Sequence, residues 1–185
     1  MTSKDHFIFY GWDTVELARK FGTPLYVLSE TAIREKCERI REGFLKKYPG
    51  TKAHYASKAF LTLAMCRIMA REGMGLDVVS GGELQMAWKA GFPLDKVSLH
   101  GNNKSLSEIE MAMEFGVGTI VVDNAMELEA VIQKAEQHDQ TQDILLRISP
   151  GINVKTHKYI STGHAGSKFG LPAFGEEIET VEERA

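Results

Sequence analysis

Four side chains able to do chemistry stand at one kind of place in this sequence, inside or just after a short apolar run. Lys58 follows Ala53–Ser57, Asp77 lies in Leu76–Val79, His100 follows Val97–Leu99, and Arg147 lies in Asp143–Ile148. A lysine leaving a buried strand and partly withdrawn from water binds its proton less tightly, and its free amine can condense with a carbonyl as a Schiff base. The same position also suits an ordinary solvated lysine. An inward carboxylate at Asp77 requires a partner, either a cation in a structural ion pair or a donor on a ligand. His100 suits stacking on a flat ring or shuttling a proton, and equally a scaffold hydrogen bond. Arg147 must be paired if it points inward, and Asp77 is one carboxylate that would serve.

The elements that must hold these residues repeat with one rhythm. The starts of the apolar runs, a further one being Thr119–Val122 ending at Asp123, lie between 21 and 24 residues apart. That interval accommodates one strand, one crossover helix and two short loops. Ser80-Gly81-Gly82-Glu83 and Ser105-Leu106-Ser107-Glu108 have the spacing of a reciprocal capping box, with Asn124-Ala125-Met126-Glu127 as a variant, and Gly73, Gly91 and Gly116 stand where the helices should stop. Gly81 and Gly82 would also let backbone amides approach a ligand, and Asn102-Asn103 suit a turn with left-handed residues. Upstream, Ile33, Cys37, Ile40 and Phe44 are spaced for one face of a helix, after a strand-like run Thr23–Leu28.

Alternating strands and helices imply a parallel sheet, doubly wound or closed as a (β/α)₈ barrel, and the even spacing favours the barrel. In either case ligands bind at the C-terminal ends of the strands, where the four residues above are expected. A barrel usually takes about 250 residues and eight strands, whereas the run count here is about five, so the chain is expected to be an incomplete barrel.

Composition narrows the partners. With 22 basic against 25 acidic residues and a net charge of -3, no broad basic surface is available for a phosphate backbone, and nucleic-acid binding is not expected. No stretch approaches the ~18 uninterrupted apolar residues of a membrane span, and the first ten residues lack a signal-peptide core, so a cytoplasmic location is expected. Cys37 and Cys66 sit at apolar helical positions outside any CxxC pattern, as buried reduced thiols rather than metal ligands.

Several segments together resemble the diaminopimelate decarboxylases, fold-type III pyridoxal-phosphate enzymes. They are Tyr55-Ala56-Ser57-Lys58-Ala59-Phe60, Gly75–Leu84, His100-Gly101-Asn102-Asn103-Lys104-Ser105, Leu146-Arg147-Ile148-Ser149-Pro150-Gly151, Thr162-Gly163 and Ser167-Lys168-Phe169-Gly170, with Phe21–Val27 matching the family's opening segment. The resemblance implies an alanine racemase-like (β/α)₈ barrel over residues 29–185, here partial, and a segment 1–28 that joins a C-terminal β domain. It implies pyridoxal 5'-phosphate as cofactor, Lys58 as its covalent carrier and catalytic residue, and Asp77, His100 and Arg147 on the cofactor side.

The activity implied is decarboxylation of meso-diaminopimelate to L-lysine by a homodimer that takes a small amino-acid substrate. Other fold-type III decarboxylases, acting on ornithine, arginine or a carrier-linked amino acid, share part of these motifs. A non-catalytic homologue and a general (β/α)₈ sugar-phosphate enzyme are the readings from other classes. The family's phosphate-binding loop, ring-stacking histidine and substrate arginines match no segment up to residue 185, so this stretch alone is expected to be inactive.

Overall fold

The computed structural model describes residues 5–151 and 169–174, together with Ile178, Val181 and Glu183. It divides into two compact units, Met1–Thr51 and Lys52–Ala185.

In the first unit β1 (Ile8–Phe9) pairs antiparallel with β2 (Trp12–Asp13). The intervening Tyr10 and Gly11 both have positive φ, as a two-residue hairpin turn requires. Asp13 then caps α1 (Thr14–Phe21), its Oδ1 accepting from the N–H groups of Val15 and Glu16. Helix α2 (Glu30–Ile40), capped by Ser29, runs on into a π turn at Arg41–Leu45.

Two expectations are corrected in this unit. The apolar face read from Ile33, Cys37, Ile40 and Phe44 is only partly buried: Cys37 is inside, while Ile40 and Phe44 are exposed. The helix forms as its spacing predicts, and Ile40 is exposed while still within α2, ahead of the π turn. The run Thr23–Leu28 forms no strand. An apolar run becomes a strand only where a neighbour takes up its backbone groups, and Tyr26 is 94% exposed.

The second unit contains the predicted repeat. Strands β3 (His54–Ala56), β4 (Gly75–Val78), β5 (Val97–Leu99), β6 (Thr119–Val122) and β7 (Ile144–Leu146) alternate with helices α3 (Leu63–Arg71), α4 (Gly81–Lys89), α5 (Leu106–Glu114) and α6 (Ala125–His138). All five strands pair in parallel, and their spatial order is their order in the chain. A doubly wound sheet reverses direction at a switch point; this one does not, so its winding is that of a barrel. The run expected as a single strand over 143–148 is divided at Arg147. There the Arg147 N–H still donates to Val122 O, but its carbonyl accepts from Leu171 N–H, and β8 (Ile148–Ser149) pairs with β9 (Leu171–Pro172).

Pleating sorts the strand residues onto two faces. Register places Leu76 beside Val97, Val78 beside Leu99, and Leu99 beside Ile120. These side chains are fully buried or nearly so, and the helices bury Leu84, Ala87, Ile109, Ala112, Leu128 and Val131. The opposite face carries the row Ala56, Asp77, Ser98 and Thr119. At 25 to 30 cal/mol per Å² of apolar surface withdrawn from water, each fully buried Leu or Ile of the helix-facing layer contributes about 2 kcal/mol. The polar row contributes little to this and is available for a site. Among the described residues no helix is long and apolar enough to cross a membrane.

Candidate active site at the strand ends

Strand alternation determines which residues meet at the C-terminal rim. His100 is two residues beyond Ser98, and Asp123 and Arg147 follow Val121 and Leu145 in the same way, so all three continue the polar face of the sheet. The backbone supports this continuation, with His100 N–H donating to Val78 O and Arg147 N–H to Val122 O. Lys58 stands at the end of β3 in a short 3₁₀ turn, Ser57–Ala59.

Around β3, β4 and β5 the rim is sparsely bonded. Asp77 Oδ1 lies 3.6 Å from His100 Nε2, beyond hydrogen-bond range. That oxygen is buried and has no hydrogen-bond partner among the described residues, and the same holds for the Ser57 hydroxyl. Lys58 is exposed, so the partial burial expected from its place after a strand is not found; the 3₁₀ turn carries it out of the ladder onto the rim. Burial holds the His100 pKa below its ordinary value of 6.5, Asp77 pulls it up, and Arg147, Lys104 and Lys58 push it down further. His100 is therefore a neutral imidazole near pH 7, surrounded by cations and one carboxylate.

From β5 to β9 the charged groups of the rim are densely bonded instead, although the buried Ser149 hydroxyl on β8 has no hydrogen-bond partner among the described residues. Lys104, its side chain 2% exposed, donates from Nζ to Glu127 Oε2 at 2.7 Å and to Gly101 O at 2.7 Å. Glu127 also accepts from the backbone N–H groups of Lys104 at 3.0 Å and Asp123 at 2.9 Å. Asp123 Oδ1 accepts from Arg147 Nη1 at 2.9 Å, and its Oδ2 accepts from Gly170 N–H at 3.0 Å. The Arg147 guanidinium lies over the Phe169 ring, 4.3 Å from its centroid.

The partner of Arg147 is thus Asp123 rather than Asp77. Asp123 ends the adjoining strand β6, whereas Asp77 belongs to β4, two strands further round the sheet. The caps show a related shift. Ser80, Ser105 and Asn124 cap α4, α5 and α6 as their spacing predicts, but only Ser105 and Glu108 form the full reciprocal box. Glu83 reaches past Ser80 to Val79 N–H, and Glu127 reaches past Asn124 to Asp123 N–H. Glu108 also accepts from Gly81 N–H at 2.8 Å, so that amide is used inside the scaffold rather than offered to a ligand. Burial raises the pKa of Glu108, but the hydrogen bonds from Ser105 and Gly81 outweigh it and the net shift is downward.

Asn102 and Asn103 are not left-handed. The positive φ in this loop belongs to Gly101, at 129°. Cys37 and Cys66 are buried and form no disulfide, as expected, and burial pushes the Cys66 thiol up, away from reactivity. Thr162-Gly163 and Ser167-Lys168 lie outside the described residues. Sequence reasoning placed Lys104, Asp123 and Glu127 at strand ends or caps without assigning them to the site. For Asp123 the signal is a charge on the polar face of each of two neighbouring strands, Asp123 and Arg147; no spacing signal links Lys104, in a loop, to Glu127, on α6.

The sequence of this chain matches known proteins along the same stretch. Residues 30–185 match the family model for the pyridoxal-binding domain of pyridoxal-dependent decarboxylases. A diaminopimelate decarboxylase from Bacillus methanolicus is 48% identical over 171 residues, which are 92% of this chain and 40% of the relative. A diaminopimelate decarboxylase from M. jannaschii superposes with a TM-score of 0.87 at 38% identity, over 100% of this chain and 44% of that one. A second structure of the M. jannaschii enzyme, in complex with L-lysine, gives 0.85 at 39% identity over 97% and 43%. The chain spans about 40% of the length of the curated relatives it matches. From fold, rim and sequence together, the chain belongs to the pyridoxal-dependent decarboxylase family, within its pyridoxal-binding domain.

Proposed function

We propose that the full-length protein decarboxylates meso-diaminopimelate to L-lysine, with pyridoxal phosphate carried on Lys58 and Asp77, His100 and Arg147 on the cofactor side. The observation that carries this reading is the buried Asp77 Oδ1, which has no hydrogen-bond partner among the described residues and faces His100 on the rim where Lys58 stands. A buried carboxylate oxygen left without a donor is costly, so its retention points to a donor arriving with a ligand. The donor set fits the group. Lys58 and Arg147 lie close enough to His100 to depress its proton affinity, and two cations on this side of the rim suit an anionic cofactor.

When bound, pyridoxal phosphate supplies a ring that takes up the electron pair released with CO₂. The side chains of this chain do the holding. Lys58, exposed on its turn, offers the amine that binds the cofactor covalently. His100, kept neutral by burial and neighbouring cations, presents an uncharged ring and a free nitrogen lone pair. Asp77 supplies negative charge to balance the cationic side of the rim. Arg147, fixed on Asp123, presents positive charge without freedom to swing away.

The L-lysine bound in the M. jannaschii relative is the expected product here. In the full-length protein we further propose that residues 1–28 join a β domain, that residues 29–185 form part of the barrel, and that the enzyme acts as a cytoplasmic homodimer. The test is CO₂ release by the full-length protein from meso-diaminopimelate, ornithine and arginine, beside a Lys58→Ala variant. Release from meso-diaminopimelate alone, abolished in the variant, is the expected result. Release from ornithine or arginine would move the assignment to another branch of the family, and activity surviving in the variant would refute the role of Lys58.

A further inference from the structure

We propose that Asp123 is a positioning residue, which aims Arg147 at the cofactor side of the rim and docks the turn entering β9 against it. The inference rests on the cofactor-side placement of Arg147 given above.

The geometry is a closed circuit. Asp123 is 3% exposed, and each of its carboxylate oxygens has a different donor, Arg147 Nη1 on Oδ1 and Gly170 N–H on Oδ2. Its own N–H is held by Glu127 Oε2, and Glu127 is in turn held by Lys104, so a shift of the Asp123 backbone would break a hydrogen bond to a carboxylate that is itself fixed in a buried ion pair. From the other side, the Arg147 guanidinium rests on the ring of Phe169, the residue before Gly170. Gly170 closes the circuit because its backbone has φ of +77° and a Cβ there would come within 2.8 Å of Arg147 O. Arg147, Phe169 and Gly170 are therefore referred to a single buried carboxylate.

Such an arrangement makes a specific pattern of coupling. If Asp123 acts through Arg147, removing either should do what removing both does, because residues sharing one interaction are not additive. In full-length protein, Asp123→Asn and Arg147→Ala should each weaken pyridoxal-phosphate affinity about tenfold or more, the scale of one lost charge-assisted hydrogen bond. The double variant should be no weaker than the worse single. Both single variants should shift the absorption maximum of the bound cofactor in the same direction, which a purely structural residue would not do. Additive losses in the double variant, or opposite spectral shifts, would overturn the proposal.

Amide exchange at Gly170 in cofactor-free protein gives a second, independent reading. It should accelerate in Asp123→Asn and in Arg147→Ala, with no further gain in the double variant. Acceleration in Asp123→Asn but not in Arg147→Ala would refute the circuit. If Asp123→Asn fails to fold, Asp123→Glu keeps the charge but displaces the carboxylate, and wild-type affinity in that variant would equally overturn the idea. If wild-type full-length protein takes up no pyridoxal phosphate, the proposed function fails, and the Gly170 exchange experiment alone decides the role of Asp123.

Discussion

The rim of the strand ends has two unlike stretches. From β5 to β9, Lys104, Glu127, Asp123 and Arg147 are joined by a continuous series of hydrogen bonds and ion pairs. From β3 to β5, Ser57 and Asp77 have buried oxygens without partners among the described residues, Lys58 is exposed, and His100 stands just beyond bonding distance of Asp77. Both stretches are built from the same face of the same sheet, so the difference is not one of fold. Buried charge that is fully satisfied holds backbone in place, while a buried polar oxygen left without a donor costs stability unless something else completes it. The first stretch is a bonded frame that presents Arg147 at its edge, and the second is where a ligand would supply the missing partners.

Several changes would break or sharpen that contrast. Glu127→Leu leaves the Lys104 ammonium buried without its counter-charge, and should cost about 3–5 kcal/mol, measured by urea denaturation of the cofactor-free protein. An unchanged midpoint would mean that the bonded stretch is not scaffold. On the other stretch Asp77→Asn should behave in the opposite sense. It removes a carboxylate with an unpartnered buried oxygen, so cofactor-free stability should hold or rise, while pyridoxal-phosphate affinity falls by the ~1.5–3 kcal/mol of a charged hydrogen bond, roughly 10- to 100-fold. Loss of stability without loss of affinity would reverse the assignment. Ser105→Ala deletes the cap of α5 and should cost about 1 kcal/mol by the same denaturation method, with cofactor affinity unchanged.

The smallest effect concerns protonation. The fold depresses the pKa of His100, so its contribution to stability is fully present above the ordinary value of 6.5 and is lost as pH falls through the lower folded value. Asp77 is the group that raises this pKa and Arg147 is among those that lower it. Asp77→Asn should therefore move the His100 titration further down, and Arg147→Ala should move it up, as read by NMR. Shifts of the reverse sign would show that His100 does not sense these neighbours.

Much of this arrangement could be read before any coordinates. Apolar runs with regular spacing gave the strands, because period-two patterning and helix capping depend on residues close in sequence. Val97–Leu99 and Thr119–Val122 end where the sequence places them. The placement of Lys58, Asp77, His100 and Arg147 at the strand ends follows from the same local rule. What was not legible depends on neighbours distant in sequence. Arg147 was offered Asp77 but found Asp123, because pairing is decided by which strands adjoin. Glu83 and Glu127 were read as reciprocal caps, yet each bonds one residue further back, a difference set by the turn and not by the spacing. The π turn that follows α2 is likewise announced by no local pattern.

The central claim is that the sparsely bonded stretch receives pyridoxal phosphate through Lys58. The most direct measurement adds pyridoxal phosphate to the full-length protein, reduces it with borohydride and maps the modified residue by mass spectrometry, beside Lys58→Ala. Modification confined to Lys58 and absent from the variant is the predicted result; modification elsewhere, or none in a folded wild-type protein, would contradict it.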